Sequence, residues 1–524
     1  KNQEGKTLSK RCGILIAVLL AFSIASFSCS PNDTTGKKPG ESLSPKHGGT
    51  LHIAIDATTA LDPTFLTTSG DNQAASMWND YLVFCDEDGR PDGERSLAES
   101  WKYDEAEKTW TFKLRKNVLF HDGKKMTSRD VKYTFDRLRD PDVGAKTVDL
   151  FSNIVDITTP DDYTVVFQLK ETNPEFLLDL ADRGIVDADN TDLKTKANGV
   201  GPFMVESFSP EDRMVLKRNP NYWRDDDQGN PLPYLDGLEL IVIPDKAAAM
   251  EALRSGQIDF LYEPPAESLE MFKNEPNLVL YTKPSATHYP IRMRADVPPF
   301  NDVRVRQALK LGTDRQEILE AAFEGFGVVG RDTPISPAYG DYYYNAPEPK
   351  RDIEKAKKLL AEAGYPDGLK VTIHSPEVRP NSAIAVIWKE QMKEIGVDVD
   401  IQLVPGDIYY VNWLDYELGV TDWGARTHPG VFLQQAYVTG ARWNETHWSD
   451  PELDELSAKI ATEMDYNERI KLYQRAQEIF MERGPIIVPA FKHSAWASNK
   501  DVKGIKEHIV EVSIDFRSVY LEKQ

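Results

Sequence analysis

Three cysteines in 524 residues leave little material for cross-linking. Cys12 and Cys29 fall in an N-terminal segment, so Cys85 stands alone in the rest of the chain and has no disulfide partner there. Stability of that body has to come from buried apolar surface. Also lacking is a stretch of the roughly 20 apolar residues that a spanning helix needs; the run Ile14 to Phe22 stops short. Positive charge is scarce. Formal net charge is -22, and residues 1–28 hold Lys1, Lys6, Lys10 and Arg11 against Glu4, a balance of +3, so the remainder carries about -25. Such a body repels nucleic acid phosphate, which removes nucleic acid as a partner. The nine histidines are scattered, with no His-x-x-x-His or Cys-x-x-Cys pair to hold a metal. Hydrolase signatures such as Gly-x-Ser-x-Gly and His-Glu-x-x-His are missing, as is the phosphate-cradling Gly-x-x-x-x-Gly-Lys. No cofactor is expected. Cys85 sits in Phe84-Cys85-Asp86-Glu87-Asp88, where neighbouring acids suppress thiolate chemistry.

What the chain does have begins with an export signal. Basic residues ending at Lys10-Arg11 precede the apolar run, then small residues and Cys29. Residues 1–28 are therefore read as a signal and Cys29 as a lipidation site; a plain cleaved signal and a retained anchor are the rivals. Residues 29–47 follow as a polar, Pro-, Gly- and Ser-rich tether.

The folded body opens near Gly48-Gly49, where TLHIAI alternates as a strand does. Thr109 to Arg115 and Tyr163 to Leu169 alternate likewise, while Thr127 and Ser128 cap a helix carrying Val131, Phe135 and Leu138. Farther on, Arg351 to Ala363 is an amphipathic helix stopped by Gly364, and Asp450-Pro451 starts another. Strand-like runs at Leu369 to Ile373 and Val397 to Leu403 lie between them, predicting an α/β fold with a largely parallel sheet in the second half.

Several ordered segments carry more than periodicity. Leu97 to Leu138 reads LAESWKYDEAEKTWTFKLRKNVLFHDGKKMTSRDVKYTFDRL, and Asn198 to Trp223 reads NGVGPFMVESFSPEDRMVLKRNPNYW. Residues 247–261 (AAAMEALRSGQIDFL), 298–319 (PPFNDVRVRQALKLGTDRQEIL) and 352–368 (DIEKAKKLLAEAGYPDG) follow. Together they resemble the family 5 extracellular solute-binding proteins, which carry peptides, nickel complexes and related solutes for ABC importers. The resemblance runs from about Gly48 to near the C terminus.

That resemblance implies a periplasmic-binding-protein-like type II (cluster C) α/β fold of two hinged lobes. Lobe I would use residues 48–88, 197–290 and 495–524, with an extra subdomain at 89–196; lobe II would be 291–494. It also implies a monomer exported to the periplasm or the outer face of the cytoplasmic membrane, lipid-anchored there, delivering solute to separate permease and ATPase subunits. A peptide or peptide-like solute is the leading ligand; an opine-like, oligosaccharide or metal-chelate ligand is the alternative. An exported hydrolase, and a chaperone or signalling receptor, are the rival functions.

In peptide-binding relatives a cleft tryptophan is followed three residues later by an aspartate that receives the peptide's amino terminus. Trp423 matches the family residue, Gly424 and Ala425 follow as candidate ligand contacts, and Arg426 stands in the acid's place. A guanidinium attracts a carboxylate or phosphate and repels an ammonium, so Arg426 is expected to take an anionic group of the ligand, its rival role being to pair with a neighbouring acid. Trp443 and Asn444 are expected to line the same cleft, His288 and Tyr289 to approach it from the hinge, and Trp78 and Thr67 from lobe I. The acidic run Asp225 to Asn230 looks like a calcium loop but carries Asp236, not Glu, at the twelfth position. It is read as a solvated loop.

Overall fold

The structure is a computed structural model describing residues 47–66, 68–510 and 512–522. The expected signal, Cys29, most of the tether and Thr67 lie outside the described residues. Alternation in TLHIAI becomes the strand Thr50–Ile55 at the centre of an eight-stranded sheet. Gly237–Val242 and Phe260–Tyr262 flank it, both parallel. Leu51, Ile53, Ala54 and Ile55 are all buried, as befits a strand covered on both faces. The sheet runs Leu278–His288, Ala490–Asn499, Phe260–Tyr262, Thr50–Ile55, Gly237–Val242, Arg213–Arg218, Phe203–Ser209, and Gly327–Val329 adds to Ala490–Asn499.

A separate four-stranded antiparallel sheet takes Ala98–Asp104, Thr109–Leu114, Thr164–Leu169 and Ile154–Asp161, in that spatial order. Trp110, Phe112 and Leu114 point to its buried face. There Phe112 and Phe167 meet edge to face at 5.5 Å, and Phe135 of the helix Ser128–Arg139 meets Phe167 at 5.3 Å. Such fully buried rings contribute about 1.5–3 kcal/mol each from burial alone. Thr127 caps that helix, its N–H donating to the Asp130 carboxylate at 2.8 Å, while the Ser128 hydroxyl donates to the Asp161 carbonyl at 2.7 Å.

A five-stranded sheet is ordered Val397–Val404, Leu369–Pro376, Leu418–Val420, Ile291–Met293, Ile486–Ile487. Its first two pairings are parallel and its last two antiparallel, so the largely parallel sheet expected from sequence is in fact mixed. The reason is connectivity: Ile291–Met293 and Ile486–Ile487 are the short segments by which the chain enters and leaves this sheet. The chain crosses from the eight-stranded sheet through Tyr289-Pro290 and returns through Val488-Pro489. The helix Ile353–Glu362 starts on the Asp352 cap and is followed by Gly364 at φ +99°. Asp450 likewise caps Pro451–Ile460. Asp226 spends its carboxylate on Gln228, Asn230 and Tyr234, closing its own turn. No group of three potential metal ligands occurs among the described residues.

Candidate functional site

A cavity of about 450 Å³ opens where three parts of the fold meet. This is within the range of small-ligand sites. One wall comes from the helix Ser69–Trp78 and the residues after it: Asn72, Ala75, Ser76, Asn79 and Tyr81. The four-stranded unit supplies Lys146, Thr147, Asp149, Asp182 and Arg183, and the facing wall is built from Ala425 to Thr427, Gln435, Arg442 and Trp443.

The facing wall is held from behind. Trp423 is buried at 3% exposure and exchanges backbone hydrogen bonds with His288 at 2.9 and 3.0 Å. Its indole N–H donates to Glu445 Oε1 at 2.9 Å, and Glu445 is opposed by Arg292 at 3.6 Å with both side chains fully buried. Trp443 leans on Trp423 with ring centres 6.1 Å apart and lines the cavity itself. Ala425 donates its N–H to the Thr287 hydroxyl at 3.1 Å, and the Tyr339 hydroxyl donates to the Arg426 carbonyl at 2.9 Å. The backbone of this wall is thus fixed before any ligand arrives.

The opposite wall is fixed by a buried ionic network. Arg517 pairs with Asp80 and, at 2.9 Å, with Asp515. Asp80 also accepts from the Trp223 indole at 2.7 Å and from the Tyr222 hydroxyl at 2.9 Å. Burial pushes the Asp80 carboxyl up against the opposing charge of Arg517. Asn79 and Tyr81 flank that anchor. Gly199 and Gly201 explain the NGVGPF motif: the Gly201 N–H donates to the Trp78 carbonyl at 3.1 Å, and a Cβ at Gly199 would stand 2.0 Å from that oxygen.

Charge in the cavity opposes that of the whole chain. Lys146, Arg183, Arg426 and Arg442 line it against Asp149 and Asp182 only, and Arg442 and Asp149 already face each other at 3.3 Å. The Arg426 guanidinium donates to the carbonyls of Gly424 and Ala425, at 3.1 and 3.3 Å, and lies over the Trp423 and Phe432 rings. It has no carboxylate within ion-pair distance among the described residues. Burial lowers the proton affinity of both Arg183 and Arg426. Four buried polar atoms on the lining also lack partners among the described residues: Asn79 Oδ1, Thr147 Oγ1, Arg183 Nε and Gln435 Oε1.

Of the residues singled out from sequence, Ala425, Arg426 and Trp443 come together at the cavity, and Gly424 adjoins them through its carbonyl. Trp423 stands one layer behind. Asn444 does not line the cavity: its amide bonds Val438, Thr446 and Trp448 and shapes the loop. His288 is fully buried between Phe432 and Phe491, and burial lowers its pKa to about 4. Tyr289 packs on Phe323 in the core of the mixed sheet. Trp78 belongs to the core of the eight-stranded sheet. These four were drawn by aromatic or hydrogen-bonding character, which serves packing equally well. Arg183, Asn79, Thr147 and Gln435 were missed because they lie in unrelated stretches that only the fold brings together.

Residues 94–445 match the family model described as bacterial extracellular solute-binding proteins, family 5 Middle. The oligopeptide-binding protein AppA of Bacillus subtilis (strain 168) is 26% identical over 540 residues, spanning 96% of each chain. Among solved structures, the ABC transporter-associated periplasmic binding protein DppA from Helicobacter pylori, in complex with the peptide STSA, is 28% identical. It covers 91% of this chain and 99% of that one, with a TM-score of 0.77. AgaA from A. tumefaciens R10, in complex with agropinic acid, is 25% identical and covers 91% and 99%, with a TM-score of 0.76. No described helix is long and apolar enough to cross a membrane. The family model over most of the chain, with a fold shared along nearly its whole length, shows that this chain belongs to the bacterial extracellular solute-binding proteins, family 5, a family of substrate-binding components of ABC importers and not of enzymes.

Proposed function

We propose that this protein captures a short peptide or peptide-like solute in the cavity and delivers it to its permease. The observation that carries the reading is the unpartnered lining: amide oxygens on Asn79 and Gln435 seek N–H donors, while Arg183 Nε seeks an oxygen acceptor. A solute built of amides, with a carboxylate, offers both kinds. The positive excess makes an ammonium a poor fit beside Arg426 and gives that residue the solute's anionic group. AppA and DppA, which by name or by complex take peptides, agree with this chemistry, whereas the agropinic acid complex of AgaA stands with the opine-like alternative.

In this reading the eight-stranded sheet belongs to lobe I (48–88, 197–290, 495–524), with 89–196 as its subdomain and 291–494 as lobe II. Tyr289-Pro290 and Val488-Pro489 serve as the hinge. Solute binding draws the lobes together and marks the loaded form for the permease, to the extent that it binds the closed form better. Residues 1–28 direct export, and Cys29 carries the lipid that holds a monomer at the outer face of the membrane. Native mass spectrometry of protein purified without denaturation tests the ligand class. A retained mass fitting a peptide or acidic amide supports the proposal, whereas a sugar or a metal chelate overturns it. Globomycin sensitivity of processing, lost in Cys29→Ala, tests the anchor.

A further inference from the structure

Several buried arginines in this protein are answered by a carboxylate, while Arg306 meets backbone carbonyls alone among the described residues. Arg315 meets Asp332 at 2.6 Å, Arg469 meets Glu175 at 3.1 Å, and Arg517 meets Asp515 at 2.9 Å. Arg183 and Arg426 are half-buried and stand at the cavity. Neither has a carboxylate at ion-pair distance among the described residues, and they reach one cavity from separate parts of the chain.

The local backbone commits Arg183 to this place. Asp182 takes φ +58°, an uncommon conformation outside glycine, and Gly184 then pairs with Tyr81 in a single antiparallel bridge. A Cβ at Gly184 would lie 2.7 Å from the Asn79 side chain, so the chain can press against the lobe I wall only with glycine there. Asp182, Arg183 and Gly184 all line the cavity as a result. Asp179, the other acid nearby, is spent on His428 at 3.1 Å and Asn173 at 2.7 Å. Asp182 and Asp179 act on Arg183 through space but neither pairs with it at 4 Å or less, so burial still outweighs them and part of the desolvation cost is left for an entering anion to recover.

We propose that Arg183 and Arg426 are the two jaws of a carboxylate clamp, so that an acidic group of the solute joins the four-stranded unit to lobe II. The proposal rests on the capture reading and adds to it the specificity determinant on the far wall. A solute whose carboxylate is amidated or esterified is rejected because both jaws stay unanswered on closure. The clamp also ties closure to cargo: an entering anion adds negative charge to a lining that carries four cations against Asp149 and Asp182.

The test uses malonate and sulfate as small probes on the full chain, at constant ionic strength against sodium chloride, read by Trp fluorescence and by thermal melting. Wild-type protein should respond saturably to both. Arg183→Gln and Arg426→Gln should each weaken the response by about tenfold or more, while Arg254→Gln, on an exposed helix of lobe I, should not. Without added anion the two clamp variants should melt no lower than wild type, because an unanswered charge has been removed. No saturable response in the wild type, an unchanged response in either clamp variant, or a lowered melting temperature that marks the arginine as structural overturns the clamp. A response to sulfate alone overturns the carboxylate assignment. Native mass spectrometry reads capture independently of these titrations. A peptide retained by protein that ignores malonate sinks the clamp and spares the capture reading, and the absence of any capture does the reverse.

Discussion

His428 Nε2 lies 3.1 Å from Asp179 Oδ1, each side chain only 6% exposed, and the contact joins the cavity wall of the mixed-sheet unit to the helix Phe176–Asp179 of the four-stranded unit. Glu175 on the same helix side faces Arg469 at 3.1 Å and accepts from the Tyr342 hydroxyl at 2.9 Å. The two units are thus sewn together beside the cavity by groups that titrate.

Burial alone would push the His428 imidazole down, but the hydrogen bond and charge of Asp179, with Glu175 nearby, outweigh it and hold the group above its ordinary 6.5; Arg469 opposes them. A raised value means the contact's full stabilisation is present below pH 6.5 and is lost as pH rises through the raised value. Melting temperature should therefore fall on going from mildly acidic to alkaline pH, and His428→Gln should flatten that limb. An unaltered pH profile in the variant would remove His428 from the account.

Arg517→Met keeps bulk but leaves Asp80 buried without its ion-pair partner and Asp515 with Arg224 at 3.8 Å. Breaking a buried pair in this way costs about 3–5 kcal/mol. Urea unfolding should show the loss, and the double variant Arg517→Met with Asp80→Asn should recover part of it. Full additivity of the two substitutions would mean the network is not coupled.

Trp423 and Trp443 should separate wall support from ligand contact. Trp423→Phe removes the donor to Glu445 Oε1, a fully buried acid whose pKa burial raises, and should cost about 1–3 kcal/mol of stability. Trp443→Ala should spare most stability but weaken solute binding by about tenfold, near 1.4 kcal/mol. Calorimetric titration with the solute identified by native mass spectrometry, beside urea melts, distinguishes the two.

Cys85 is buried, and burial with Asp182 and Asp86 nearby drives its thiol well above the ordinary range. Ellman's reagent should find no reactive thiol from Cys85 in the native body and one after unfolding in urea. Fast labelling of native protein would contradict the packing around the strand Phe84–Cys85.

Much of the fold was legible because its signals are local. The alternation in Thr50–Ile55 and Thr109–Leu114, the Asp450-Pro451 cap and the Gly364 stop each depend on neighbours in sequence. The mixed sheet was not, since the direction of Ile291–Met293 depends on where the chain has come from. In the site, Arg426 was visible because it departs from a family pattern. Arg183 was not: its meaning lies in the carboxylate that fails to reach it, and only three-dimensional neighbours reveal that. His288 and Trp78 misled for the opposite reason, being conspicuous side chains whose surroundings are all protein.

Motion of the two units about the Tyr289-Pro290 and Val488-Pro489 crossings is best measured by pulsed electron–electron spin resonance. Nitroxides belong on cysteines placed at Val155, 57% exposed on the four-stranded sheet, and at Val411, 80% exposed beside the mixed sheet. Protein stripped of solute by unfolding and refolding should give a longer, broader distance distribution. Adding back the solute released from the native protein should shorten and narrow it. One fixed distance in both states would contradict capture by closure.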